Sequence, residues 1–335
     1  MAKVAFFYAN GTASPDTFSL MNVLSTVIAT GALPRGRLVT VAGLDGRTTS
    51  WQDCLPQNDP FCNLLDPNIF DAKKIAYPAA MFPMNLSMDD CTTKTIAEIK
   101  ALPAGKKYMI GGFSQGAAAM SAVYNEIRSG VLADRAGDFL GGVCFGNPRR
   151  QINYRGEVGG TWSGSWGTPG STTGGHGAFP ATGPYARLSS CDPSKWIEFV
   201  EYDDVFNAVG NTAVELDWTS AVDAVSALSK TNLITYIGNL PPLLHAFQVA
   251  SSKAGNITFT DAAGLVVTNS GGGHVAYPFR PPPGNPDNGL TSFQIAIKWL
   301  TAKAVAAQTA PILLPDSPTT TANAGWSTVL VPPAA

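Results

Sequence analysis

Short apolar runs separated by amphipathic stretches set the rhythm of this chain. Residues 4–8, 38–42, 108–113, 139–145 and 196–202 are largely apolar along their whole length. That is the pattern of strands buried on both faces, not of strands with one wet side. Between them, residues 16–29, 88–101, 115–128 and 292–306 repeat apolar side chains at helical spacing. Ser14 before Pro15 marks a helix start, and Gly130 after Arg128 a helix end. Strand and helix patterns in alternation predict an α/β fold around a mainly parallel central sheet. Ligands of such sheets bind beyond the carboxyl ends of the strands.

Three stretches interrupt the alternation. Residues 155–184 are crowded with Gly, Ser, Thr and Pro but carry Trp162, Trp166, His176 and Phe179, so a docked, functional loop is expected. Residues 210–253 show helical periodicity at 214–228 and 240–249. They read as a helical insertion, either a lid over the site or an extra helical layer, with the lid preferred. Residues 310–335 hold five prolines and no periodicity, a composition that cannot bury a core of its own. The expected organisation is one catalytic domain over 1–307 and an extended arm over 308–335.

Composition narrows the classes of function. The chain has 335 residues, enough for a sizeable core, with 45% hydrophobic and only 14% charged residues. A net charge of -2 with no basic run argues against nucleic acid or an anionic bilayer as the primary target. No stretch is long and apolar enough for a membrane span, and Met1 to Tyr8 is too short for a signal sequence. Synthesis in the cytoplasm without a signal peptide is therefore expected. The five cysteines, Cys54, Cys62, Cys91, Cys144 and Cys191, fit mostly reduced thiols, although Cys54 and Cys62 flank one short loop and could pair after release. No Cys/His spacing matches a metal site, and neither metal nor cofactor is expected.

The chemistry concentrates at Gly112-Phe113-Ser114-Gln115-Gly116, a Gly-x-Ser-x-Gly turn between a strand pattern and a helix pattern. Such a turn exposes a serine hydroxyl as a nucleophile. The hydroxyl needs a base, and the base needs an orienting acid. Of three histidines, His274 follows Gly271-Gly272-Gly273 after the strand-like 264–268, in a glycine loop able to swing an imidazole over Ser114; it is the preferred base. His176 is the second candidate, and with Phe113 is assigned to substrate contact. His245 sits in a helical apolar segment and reads as packed. The acid is Asp203 or Asp204, where the 196–202 strand pattern ends; the other would cap the following helix. The backbone N–H of Gln115 and a donor at Thr12, in the loop after the first strand, are the expected oxyanion hole.

Gly112 to Ala117 resembles the Gly-Tyr-Ser-Gln-Gly-Ala elbow of cutinases and of the lysin B enzymes of mycobacteriophages, with lysin B the nearer of the two. Similar to lysin B are also Asn10-Gly11-Thr12, the run from Tyr77 to Met84, the run from Phe145 to Gln151, Asp204-Val205-Phe206 in place of Asp-Met-Tyr, and His274 followed by Tyr277. The resemblance implies a cutinase-like α/β-hydrolase with a helical insertion between the catalytic Asp and His. It selects Asp204 over Asp203. It implies hydrolysis of the ester joining mycolic acid to arabinogalactan at the bacterial envelope, in phage lysis or entry. Asn10 stands where many members have histidine, residues 45–71 look inserted, and the carboxyl arm is additional. Two other readings accompany this one. The first is a cutinase or short-chain carbohydrate esterase. The second is a virion structural protein with a lysin B-like fold, binding a phage structural partner through its arm.

Overall fold

The structure, a computed structural model, describes residues 2–12, 38–52, 60–80, 84–154, 175–201, 204, 206–209, 257–260, 263–264, 266–269, 272–282 and 289–309. In chain order its elements are β1 (Val4–Ala9), β2 (Leu38–Ala42), β3 (Thr48–Gln52), α1 (Pro60–Leu64), β4 (Phe70–Lys74), α2 (Met84–Ala101), β5 (Tyr108–Phe113), α3 (Gln115–Ser129), β6 (Phe139–Phe145), β7 (Trp196–Phe199), β8 (Ile257–Thr260), β9 (Val266–Asn269) and α4 (Ser292–Thr309). Single 3-10 turns lie at Ala133–Arg135 and Gly272–Val275.

Five strands form one sheet in the order β4-β1-β5-β6-β7, and every pairing is parallel. The register sets Ala9 beside Gly112 and Gly112 beside Cys144, so the carboxyl ends of β1, β5 and β6 line up along one edge. All six residues of β1 are buried because both faces are covered. Ala5, Phe7 and Ala9 face a core shared with α2 and α3 through Met88, Cys91, Ile99, Ala118 and Val123. Val4, Phe6 and Tyr8 face the opposite core, with Phe61 and Leu64 of α1 and Phe293, Ala296 and Leu300 of α4. The second core is aromatic: Phe61 lies 5.3 Å from Tyr8, 5.2 Å from Phe145 and 5.0 Å from Phe293 between ring centroids. Helices on both faces of a parallel sheet are the outcome the alternating pattern predicts.

One expectation changes. Residues 38–42 do not join the central sheet; β2 pairs antiparallel with β3 in a separate hairpin. The return from Ala42 to Thr48 is too short for the crossover that parallel pairing needs. It is closed by Gly43 N–H donating to Arg47 O at 2.8 Å, with Gly46 at φ 79°. The sheet edge belongs instead to β4, whose Asp71, Ala72 and Lys73 are exposed. An edge strand carrying charges lacks the continuous apolar run that marks a central strand. Elsewhere the limits move by a few residues: the 196–202 strand pairs only to Phe199, α2 starts at Met84 and α4 runs to Thr309. The end of the glycine-rich loop is docked, with Ala178 and Phe179 buried and Phe179 N–H bonded to Pro148 O at 2.8 Å.

The helix expected at 16–29, the insertion 210–253, the arm beyond Thr309, Cys54, Asp203 and His245 lie outside the described residues. Among the described residues no helix is long and apolar enough to cross a membrane.

Candidate active site

Ser114 is the single residue between the end of β5 and the start of α3. Its backbone is bent into the left-handed region, at φ 55° and ψ -122°. For a non-glycine residue that conformation costs about 1–3 kcal/mol and persists only where its surroundings enforce it. They do so from both sides: Ser114 N–H continues the sheet by donating to Phe145 O at 2.9 Å, and Ser114 O accepts from Ala118 N–H at 3.0 Å in the first helical turn. The turn also needs room. A Cβ on Gly116 would fall 2.2 Å from Ala9 O, so only glycine lets α3 start this close to β1.

His274 reaches this serine from the turn Gly272–Val275. Its Nε2 lies 2.8 Å from Ser114 Oγ and its Nδ1 lies 2.9 Å from Asp204 Oδ1. With Nδ1–H donating to the carboxylate, Nε2 is left to accept the serine proton; the tautomer follows from the bonding partners. The imidazole is held between two rings, with centroids 5.0 Å from Phe113 and 4.5 Å from Phe206. Over residues 272–280 the glycine loop is a succession of tight turns. Ala276 N–H bonds Gly273 O, Phe279 and Arg280 N–H bond Ala276 O, and Phe293 N–H of α4 bonds Tyr277 O.

Asp204 follows β7 and is fully buried. Its Oδ1 accepts from Phe206 N–H at 2.8 Å as well as from His274, and its Oδ2 accepts the Tyr277 hydroxyl at 2.5 Å. Burial by itself would raise the carboxyl pKa. The charge and hydrogen bond of His274, with the bonds from Tyr277 and Phe206, together outweigh it and hold Asp204 below its usual value. Gly146, after β6, provides the floor of this pair: at φ +58° it carries no Cβ, and one built there would lie 2.8 Å from His274 Cε1 and 3.0 Å from Asp204 Oδ2.

Of the residues expected to supply oxyanion donors, Gln115 directly follows Ser114 and Thr12 directly follows Gly11. Gln115 opens α3, and Ser114 makes no side-chain cap to that helix end. The Gln115 side chain is buried, accepting from Ser87 Oγ at 3.0 Å and donating to Ala80 O at 2.8 Å. Thr12 is half-buried in the turn after β1. Its neighbour Gly11 passes so close that a Cβ there would be 2.9 Å from Ser114 Cβ, and the Tyr77 hydroxyl donates to Asn10 O on the same turn. Phe113 stands at the site through its contacts with His274 and, at 6.3 Å, Tyr277.

His176 lies at the docked end of the glycine-rich loop. It is buried, bridges Val209 through paired backbone bonds of 2.8 and 2.9 Å, and its Nδ1 bonds Gly177 O at 2.7 Å. The backbone bridge ties the end of the glycine-rich loop to the segment after Asp204.

Tyr277, Phe206 and Gly146 were not singled out as site residues by their chemistry. A tyrosine three residues after a histidine, or a glycine after a strand, has no distinctive signal until the chain is folded. The same holds for a buried polar cluster behind the site. Asn147 donates to Ser121 Oγ at 2.9 Å and to Glu198 Oε1 at 2.8 Å, and Trp196 Nε1 donates to the same oxygen at 2.7 Å. Burial drives the Glu198 pKa up to about 8, although its bonds to Trp196 and Asn147 and the charge of Arg150 oppose the rise. Among the described residues there is no group of three or more His, Cys, Asp or Glu placed to hold a metal ion.

Comparison with known proteins places the fold. Lysin B from Mycobacteriophage D29 superposes with a TM-score of 0.51 at 15% identity, over 89% of this chain and 99% of that one. A cutinase-like protein from Cryptococcus sp. aligns at a TM-score of 0.36 and 16% identity, over 75% and 94% of the two chains. An acetyl xylan esterase aligns at 0.32 and 14% identity, over 72% and 99%. The parallel sheet with its serine turn and the lysin B superposition make this an α/β-hydrolase fold. No protein-family model and no curated protein sequence matches the chain.

Proposed function

We propose that the protein is a serine esterase of the cutinase-like kind, with Ser114 as nucleophile, His274 as base and Asp204 as the acid that orients it. The observation that carries this reading is the continuous path Ser114 Oγ to His274 Nε2 at 2.8 Å and His274 Nδ1 to Asp204 Oδ1 at 2.9 Å, made by residues far apart in sequence. In this mechanism His274 takes the Ser114 proton as Oγ bonds to the ester carbonyl carbon. The resulting oxyanion is held by Gln115 N–H and Thr12. His274 then gives its proton to the departing alcohol, leaving an acyl-Ser114 ester. Water, deprotonated by His274, attacks that ester; the acid leaves and Ser114 regains its proton.

The substrate we propose is a long-chain lipid ester, specifically the mycolic acid to arabinogalactan ester of mycobacterial-type envelopes. Motif resemblance along the chain and the lysin B fold likeness support it. The catalytic unit would span residues 1–307, with 210–253 as lid. The arm from 308 would bind a phage structural partner.

The test is release of free mycolic acid from cell-wall arabinogalactan by the purified protein, with Ser114→Ala as control and p-nitrophenyl esters of increasing chain length alongside. Mycolate release lost in the variant is expected. Activity confined to acetyl esters would assign the protein to short-chain carbohydrate esters, and Ser114→Ala with most of its activity intact would remove the serine mechanism.

A further inference from the structure

Tyr277 is fully buried, with its ring against Phe145 at 5.9 Å and Phe113 at 6.3 Å between centroids. Its hydroxyl nevertheless ends in a polar junction: it donates to Asp204 Oδ2 at 2.5 Å and accepts from Asn207 Nδ2 at 3.3 Å. Asn207 also donates to Phe199 O at 2.6 Å, which fixes the junction to the last residue of β7. Three residues on, Arg280 Nε and Nη2 lie 2.9 and 2.8 Å from Oε2 of the fully buried Glu201. The segment that carries His274 is thus tied to the segment that carries Asp204 at Tyr277 and again at Arg280.

We propose that Tyr277 is a positioning residue for the Ser114, His274 and Asp204 relay, setting through its hydrogen bond both the orientation of the Asp204 carboxylate and the negative charge it presents to His274. This rests on the serine esterase reading. A carboxylate in a buried site must place each of its oxygens. Oδ1 serves the imidazole and Phe206 N–H, and the phenol takes Oδ2, which stops the carboxylate rotating away. A short phenol bond also withdraws charge from the carboxylate. The groups facing it among the described residues are His274 and Tyr277, with Glu201 and its partner Arg280 beyond the tyrosine. Arg280 offsets Glu201, so apart from His274, itself a member of the relay, Tyr277 is the side chain whose loss most directly changes the charge at Asp204.

The direction of the effect follows. Without the phenol bond the Asp204 carboxylate holds a proton more readily, so the relay loses its anionic acid at a higher pH. In Tyr277→Phe, kcat on a p-nitrophenyl ester should fall about tenfold with KM nearly unchanged, and the acid limb of the kcat/KM profile should move up by roughly half a pH unit or more. Replacing Tyr277 with 3-fluorotyrosine, whose hydroxyl is a stronger donor of nearly the same size, should restore turnover and move the acid limb the other way. A folded Tyr277→Phe with unchanged kcat and acid limb would overturn the proposal, as would slower turnover with an unmoved acid limb. If the phenylalanine variant fails to fold, an unshifted acid limb in the fluorotyrosine protein overturns it. Labelling of wild type and Ser114→Ala by a fluorophosphonate probe separates the two levels. No Ser114-dependent labelling sinks the esterase reading itself, whereas normal labelling with unmoved Tyr277 variants sinks only this inference.

Discussion

Gly146 leaves open the space that His274 fills: a side-chain carbon on Gly146 would come within 2.8 Å of the imidazole Cε1. The position is also left-handed, at φ +58°, so alanine there is strained whatever the space. Gly146→Ala should push His274 off Ser114 and lower kcat about a hundredfold, since small misplacements of catalytic groups are costly. Its melting temperature should drop by only a few degrees. Steady-state kinetics paired with thermal unfolding check both; a variant with normal kcat would show that the imidazole does not use this seat.

The strained backbone of Ser114 makes a second prediction. If the φ of 55° is held by the surroundings, Ser114→Gly should relieve it. It should be about 1 kcal/mol more stable than Ser114→Ala in urea unfolding, net of glycine's larger chain entropy, and both variants should be inactive on p-nitrophenyl butyrate. Equal stability of the two would mean that the turn stores no strain.

Glu198 sets a pH dependence of stability. Its pKa is raised from 4.5 to about 8 in the folded protein, so the native state keeps a proton that the unfolded chain releases. The contribution is fully present below about 4.5 and is lost as pH rises toward about 8, with a slope of about 1.4 kcal/mol per pH unit at most. Glu198→Gln, which keeps an acceptor for Trp196 and Asn147, should flatten the stability profile over that window relative to wild type. Urea midpoints at several pH values read this directly, and parallel profiles would contradict it.

The ion pair between Arg280 and Glu201 offers a test by subtraction. Arg280→Ala leaves a carboxylate with no exposure to solvent lacking its cation, and should cost about 3–5 kcal/mol. The double variant Glu201→Gln with Arg280→Met should be clearly more stable than Arg280→Ala, because no charge is then stranded. Chemical denaturation of wild type and the two variants checks the order. A double variant no better than the single one would show that the pair matters for shape alone.

Much of this architecture is carried by local patterns in the chain. Apolar runs at 4–8, 108–113 and 139–145 became central parallel strands, because burial on both faces demands apolar side chains throughout. The helix patterns at 88–101, 115–128 and 292–306 became α2, α3 and α4 within a few residues, since their spacing encodes which face meets a core. The serine turn was legible because its glycines answer to a local steric need, the approach of α3 to Ala9. Local pattern was weaker where pairing is decided by distant partners. Residues 38–42 carry a central-strand composition yet pair with 48–52, while residues 70–74, with Asp71, Lys73 and Lys74, take the sheet edge.

By itself, then, the sequence determined the α/β class, the serine turn at the carboxyl edge of the sheet and a short set of acids and histidines that could serve it, all consequences of periodicity and of residue chemistry. Only the tertiary structure decided which of them meet. His274 lies at hydrogen-bond distance from Ser114 and Asp204, whereas His176 is enclosed against Val209. The same is true of the bond from Tyr277 to Asp204, the seat at Gly146 and the pair of Arg280 with Glu201. These join positions from different ends of the chain, and their distances follow from how strands and turns stack in space, which no local pattern of residues records.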